Sequence, residues 1–175
     1  VFSAVIFLPQ MMRIIEGGPE ERRRYLNLAL SQALPGYSEA LSEYTQFLTQ
    51  RNALLKQLAE RGGAQDQLDY WDEMLAQRGA VIIQARIQAV HELERLATRI
   101  HQRLTRGAEV LRWLYQPAYD PLPQPEGQLA LPMRTAAQRN GISLEQIRSG
   151  FKDRLAALHV EEIARGVTTI GPHRD

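Results

Sequence analysis

Apolar positions between residues 37 and 58 recur in alternating steps of four and three: Tyr37, Leu41, Tyr44, Leu48, Leu55 and Leu58. That spacing is the heptad seam of an amphipathic helix, with one polar interruption at Arg51. Gly62-Gly63 ends the run. Much the same spacing returns at Leu68, Trp71, Leu75, Ile82, Leu93, Leu96 and Ile100, which predicts a further helix over about 66–105. At about 1.5 Å per residue it reaches about 55–60 Å, longer than a small globular domain requires. Gly79 is the place where it bends or breaks. Two long helices joined by a short Gly-Gly turn make an antiparallel hairpin, an arm that projects from something.

The arm is flanked by shorter elements. Gly17-Gly18-Pro19 reads as a loop entering a helix, with proline pre-set for the first turn. Glu20 and Glu21 sit where the helix dipole favours negative charge, and Pro35-Gly36 stops the helix after Leu34. Beyond the arm, Glu109 to Gln116 reads as a strand with Trp113 and Tyr115 on one side. Five of the nine prolines then fall between Pro117 and Pro132, which predicts an extended surface loop. Ser143 and Gln146 form a capping box ahead of a last helix that ends at Gly166.

The two apolar runs at the ends, Val1 to Phe7 and Val167 to Ile170, read as short strands. Their sheet partners are elsewhere if the chain is cut from a larger protein; a complete domain using them as edge strands is the alternative. The opening run is too short to cross a bilayer, which takes about 20 apolar residues. It also lacks the basic start and cleavage site of a secretory signal. The fold class expected is therefore mainly α: a long antiparallel helical hairpin, coiled-coil-like, with flanking helices and short end strands.

Composition adds a few bounds. A chain of 175 residues suits one domain or one and a half, and 44% apolar residues suffice for a core. With no cysteine, disulfides and thiolate zinc sites are both excluded, and a reducing cytoplasm is the expected location. A net charge of +1 provides no global field toward nucleic acid. Lys56 and Lys152 are the only lysines; arginine suits bidentate phosphate contact, but such a bias is at least as often an effect of genomic composition and decides nothing alone.

Candidate chemistry is sparse. Arg22, Arg23 and Arg24 form the strongest basic cluster, but consecutive helical residues fan over about 200°, so the three cannot share one partner. They serve either as a solvated face or as a phosphate contact. Arg51 lies on the seam, where an unpaired charge is costly; it is either paired with a carboxylate of the facing helix or reaches out at the edge. His91, His101 and His159 lack ligand spacing and read as surface or satisfied histidines. His173-Arg174-Asp175 matches the opening of a kinase catalytic loop, without the glycine-rich loop and strand lysine that should accompany it. No G-x-x-x-x-G-K-[ST] loop is present, so the chain alone is expected neither to bind ATP tightly nor to hydrolyse it, and neither a catalytic set nor a metal site is expected.

Three segments, in order, carry a family likeness: Gly17-Gly18-Pro19-Glu20-Glu21-Arg22-Arg23-Arg24-Tyr25-Leu26, then Arg51-Asn52-Ala53-Leu54-Leu55-Lys56, then Gly171-Pro172-His173-Arg174-Asp175. With Trp71-Asp72-Glu73, Gly79-Ala80 and Ala85-Arg86 between them, they resemble the middle of RecF, a family of bacterial recombination-repair ATPases of the SMC-like ABC type. The pattern departs from the family at Leu8, Gly18 and Asn27. The resemblance implies residues 1–15 ending an ATPase-head lobe, a helical arm over 16–166 with a proline-rich insert at 116–142, and 167–175 re-entering the head. It implies a longer protein, a weak DNA-dependent ATPase using ATP and Mg, that self-dimerises with ATP and binds gapped or junction DNA. With RecR and RecO it helps place RecA at single-strand gaps. The DNA contacts expected on the arm are Arg22, Arg23, Arg24 and Lys56; Gly171, Pro172, His173, Arg174 and Asp175 are a family motif of unassigned role. The competing class is a helical adaptor that holds another protein and no nucleic acid. A truncated enzyme with its site at Gly171 to Asp175 is a third reading.

Overall fold

Residues on the two long helices pair at a constant register: Tyr44 with Gly79 and Arg51 with Asp72. As one number rises the other falls, which defines the antiparallel hairpin that the seam predicts. The computed structural model describes residues 12–122 and 135–175. In chain order it contains α1 (Arg13–Glu16), α2 (Pro19–Ala33), α3 (Tyr37–Arg61), a 3-10 turn (Gln65–Leu68) and α4 (Asp69–Leu104). These are followed by α5 (Ala136–Arg139), α6 (Leu144–Ala157) and α7 (His159–Arg165). Pro19 opens α2 as expected, and the Ser143–Gln146 box caps α6 in both directions.

The hairpin turn depends on Gly62 and Gly63, both at positive φ (+70° and +141°). L side chains rarely take that conformation, so glycine is required there. Helix α4 is the centre of the fold. Leu75, Ala76, Ala80, Ile82, Ile83 and Ile87 are buried on several sides of it, because α3 covers one flank and α6 the other. A helix enclosed in this way carries apolar residues around most of its circumference.

Gly79 does not break α4, which runs unbroken through it. A Cβ there would stand 2.6 Å from Phe151 Cε1 and 3.2 Å from Tyr44 Cε2. The glycine is there for the close crossing of α6, not for a bend.

Three other expectations are corrected. Residues 109–116 form no strand; Trp113 N–H donates to Glu94 Oε1 (3.4 Å) and Leu111 O accepts from Thr98 Oγ1 (3.3 Å). The segment thus runs back along α4, with side chains meeting its backbone where a neighbouring strand would. Residues 167–170 likewise form no strand. Thr168 N–H donates to Asn52 Oδ1 and Thr169 N–H to Glu162 Oε1, so side chains take the bonds a ladder would use. The final helix is divided at Leu158 into α6 and α7. The strand expected at Val1 to Phe7, and the insert between 123 and 134, lie outside the described residues.

The seam also stops short. Tyr37, the first residue of α3, stands beside Arg86, so the rest of α4 has no α3 opposite. That leaves about 27 Å of helix as an overhang. Leu96 and Ile100, expected on the seam, are exposed there.

Candidate functional site

Arg51 is fully buried within a cluster that joins three elements. Its Nε donates to Asp72 Oδ1 on α4 (2.6 Å), and Nη1 donates to Glu162 Oε2 on α7 (2.5 Å) and to Thr168 Oγ1 (2.9 Å). His159 Nε2 lies 2.6 Å from Asp72 Oδ2, so the ring nitrogen carries the proton between them. Glu162 Oε1 accepts from the N–H and hydroxyl of Thr169, and Asn52 Oδ1 accepts from both polar groups of Thr168. Asp69, Asp72 and His159 could bring three donor atoms within 4.8 Å of one another. Both Asp72 oxygens are already engaged by Arg51 and His159, so the arrangement is an ion-pair cluster in its chemistry.

A second cluster gathers the terminal motif. Arg86, 1% exposed, donates through Nη1 to Pro172 O and Asp175 Oδ2 (both 2.6 Å) and through Nη2 to Asn27 Oδ1 (3.0 Å). The same Asn27 oxygen accepts from Tyr37 OH, so the residue at which the family pattern departs is a working acceptor. Tyr115 OH donates to Asp175 Oδ2 (2.7 Å) and Ala118 N–H to Oδ1 (3.1 Å). Burial alone pulls the Arg86 guanidinium down, but the Asp175 carboxylate with Tyr37 and Tyr115 holds it above its ordinary value. Burial first, and the Asp175 charge second, push the Tyr115 hydroxyl well up.

The motif itself is a turn closed by Arg174 N–H donating to Gly171 O (2.8 Å). His173 Nε2 faces Thr168 O (3.3 Å) and so carries the ring proton; Nδ1 then accepts from Tyr44 OH (2.8 Å). Burial holds His173 down at about 4, and it pushes the Tyr44 hydroxyl up. Gly171, at φ +114°, presses against Tyr44 and Phe151. The pentapeptide therefore clasps α2, α3 and α4 together. Histidine and aspartate are both occupied in holding the fold.

The basic candidates are spread out. Arg22 donates to Ile14 O and Ile15 O (3.1 and 3.2 Å), and Arg23 donates to Asp175 O. Arg23 and Arg24 border a cleft of about 380 Å³ between α2 and α3, with Glu20, Asn27, Tyr44, Arg86 and His173 also lining it. Arg24 is exposed and has no hydrogen-bond or ion-pair partner among the described residues. Lys56 is exposed on α3 beside Gly166, about 12 Å beyond the Leu48 end of that cleft. The structure thus brings Arg23 and Arg24 together, gives Arg22 to a helix end and leaves Lys56 apart. Sequence reasoning missed Arg86 as a buried hub; the available signal was its position on the α4 face that carries Ile82, Ile83 and Val90.

Fold and clusters together define a class: a long helical hairpin to which residues 162–175 are latched by buried ion pairs and hydrogen bonds. The chain is RecF-like over its whole length. It is 38% identical over 173 residues to the DNA replication and repair protein RecF of Thermomicrobium roseum, covering 98% of this chain and 42% of that protein. With the protein of the same name from Bacillus cereus strain B4264 the identity is 33% over 178 residues, covering 100% and 42%. A solved structure of the recombination mediator RecF with ATP, in the RecFOR pathway, superimposes with a TM-score of 0.79 at 29% identity, covering 99% of this chain and 41% of that one. The chain therefore spans about two fifths of the length of the relatives it matches. No protein-family profile matches it. Among the described residues no helix is long and apolar enough to cross a membrane.

Proposed function

We propose that this chain is the arm of a RecF-type recombinational repair protein, and that it contributes a phosphate contact for DNA. The observation that carries the reading is the whole-length likeness to proteins named for DNA replication and repair, on a matching fold. In this reading residues 1–15 and 167–175 join an ATPase head, and 16–166 form the arm. The complete protein uses ATP and Mg, self-dimerises with ATP, and acts in the cytoplasm with RecR and RecO to place RecA at single-strand gaps. No reaction is assigned to the arm itself.

On the arm, the reading favours Arg23 and Arg24, both of which line the α2–α3 cleft. Arg22 and Lys56 are secondary contacts. Fluorescence anisotropy with gapped and duplex DNA, titrated across salt, tests it. Log affinity should fall linearly with log salt, and Arg24→Ala should reduce the magnitude of that slope by about one. Absence of binding at low salt removes DNA from this face. The adaptor reading is favoured by one specific feature, the exposed apolar stripe on the α4 overhang.

A further inference from the structure

The α4 overhang carries two adjoining stripes that no contact within the described residues explains. Leu96, Ile100 and Leu104 follow one another by a helical turn and are 46%, 59% and 78% exposed. Arg99 and Arg103 border them, each about 60° around the helix from Leu96 and Ile100 respectively. Both arginines are exposed and make no ion pair or hydrogen bond among the described residues, and the charge of Arg99 also acts on Glu92. The chain after α4 turns back along the other side, where Glu94, Thr98 and His101 hold it through Trp113, Leu111 and Glu109. Among the described residues it covers the side of the overhang bearing Glu94, Thr98 and His101 and leaves the apolar side uncovered.

The stripe also leads into a cavity. Leu93, one turn before Leu96, lines an apolar pocket of about 290 Å³ together with Tyr25, Leu26, Val90 and Trp113, with Arg22 among its lining residues. Isolated surface leucines need no explanation, but a continuous row flanked by charge and ending in a pocket marks an interaction surface.

We propose that this face docks an amphipathic helix of a partner protein, one with apolar residues at three- and four-residue spacing and an acidic flank. Its apolar side lies along Leu96, Ile100 and Leu104, a large apolar side chain fills the pocket at Leu93, and its carboxylates meet Arg99 and Arg103. This is the helix-in-groove mode, in which an apolar seam provides affinity and flanking charges choose the partner. Nucleic acid accounts for the arginines alone. Phosphates gain nothing from exposed leucines, and the stripe Leu96, Ile100 and Leu104 carries no aromatic on which a base could stack. A second copy of the same face brings arginine against arginine. The proposal does not rest on the DNA reading above.

The test titrates the chain with a labelled synthetic helical peptide bearing leucines at that spacing and a glutamate flank, against its lysine-flanked counterpart. Circular dichroism on each protein variant checks that the helices are intact. The glutamate peptide should bind at least ten-fold tighter than the lysine peptide. R99E/R103E should abolish or reverse that preference, and I100S should weaken the glutamate peptide at least ten-fold. Equal binding of the two peptides, or binding indifferent to these substitutions, overturns the proposal. So does self-association, seen by sedimentation and removed by I100S. So does duplex-DNA binding that R99E/R103E abolishes while neither peptide binds. R24A leaves this assay unchanged, which separates its outcome from that of the DNA experiment.

Discussion

Arg51 Nε and Asp72 Oδ1 lie 2.6 Å apart between α3 and α4, with both side chains essentially removed from water. The pair sits on the hairpin seam where a hydrophobic residue would otherwise be expected. It fixes register because the arginine also reaches Glu162 and Thr168, so sliding either helix by one turn would strand three charged groups in the core.

Removing one partner should therefore be severe. R51M leaves Asp72 and Glu162 buried without their counter-charge, and a loss of about 3–5 kcal/mol is expected in urea denaturation. Replacing Arg51, Asp72 and Glu162 together by apolar residues of similar size should recover much of that loss, because no orphaned charge remains. A triple variant as unstable as R51M would contradict this account.

At Gly79 the usual sign reverses. Glycine to alanine inside a helix normally stabilises by about 1 kcal/mol. Here the added methyl meets Phe151 and Tyr44, so G79A should destabilise by about 1–3 kcal/mol. In an F151A background the same change should cost less, and equal costs in both backgrounds would count against direct contact.

His173 makes stability depend on pH. Its folded value of about 4 lies below the ordinary 6.5, so the unfolded chain binds the proton more readily. The contribution is complete above about pH 6.5, and it is lost as pH falls toward 4. It amounts to about 3 kcal/mol at most. The stability difference between the parent chain and H173Q should be flat above pH 7 and shrink across that window. A proton NMR titration showing His173 near its ordinary value would refute the assignment.

Alkaline titration should separate the tyrosines. Burial pushes Tyr44 and Tyr115 up strongly, and Tyr119 up to about 12. Absorbance near 295 nm should therefore show fewer than the chain's six tyrosines ionising before unfolding, with the remainder appearing together as the fold is lost. Y115F should cost about 1–2 kcal/mol, since Asp175 loses a donor.

Much of the architecture was legible in the chain itself. The heptad seam, Pro19, Gly62-Gly63 and the Ser143–Gln146 box act within a few residues of where they stand, so the helices and the hairpin could be placed before any contact was known. The terminal pentapeptide and the arginine run were visible as motifs, but what they touch was not.

Those contacts belong to tertiary structure. Asp72, Glu162 and Thr168 converge on Arg51 from positions up to 117 residues away, and no local period encodes that meeting. Gly79 looked like a breaker because the sequence does not reveal that Phe151 crosses there. The run 109–116 alternates like a strand, yet α4 side chains took its backbone bonds first. Leu96 and Ile100 share the spacing of the seam, and only the length of α3 decided that they face outward. Local periodicity determined the helices of this protein; which faces are covered, and which charges are paired, was decided by elements meeting across long chain separations, because burial and electrostatics act through space.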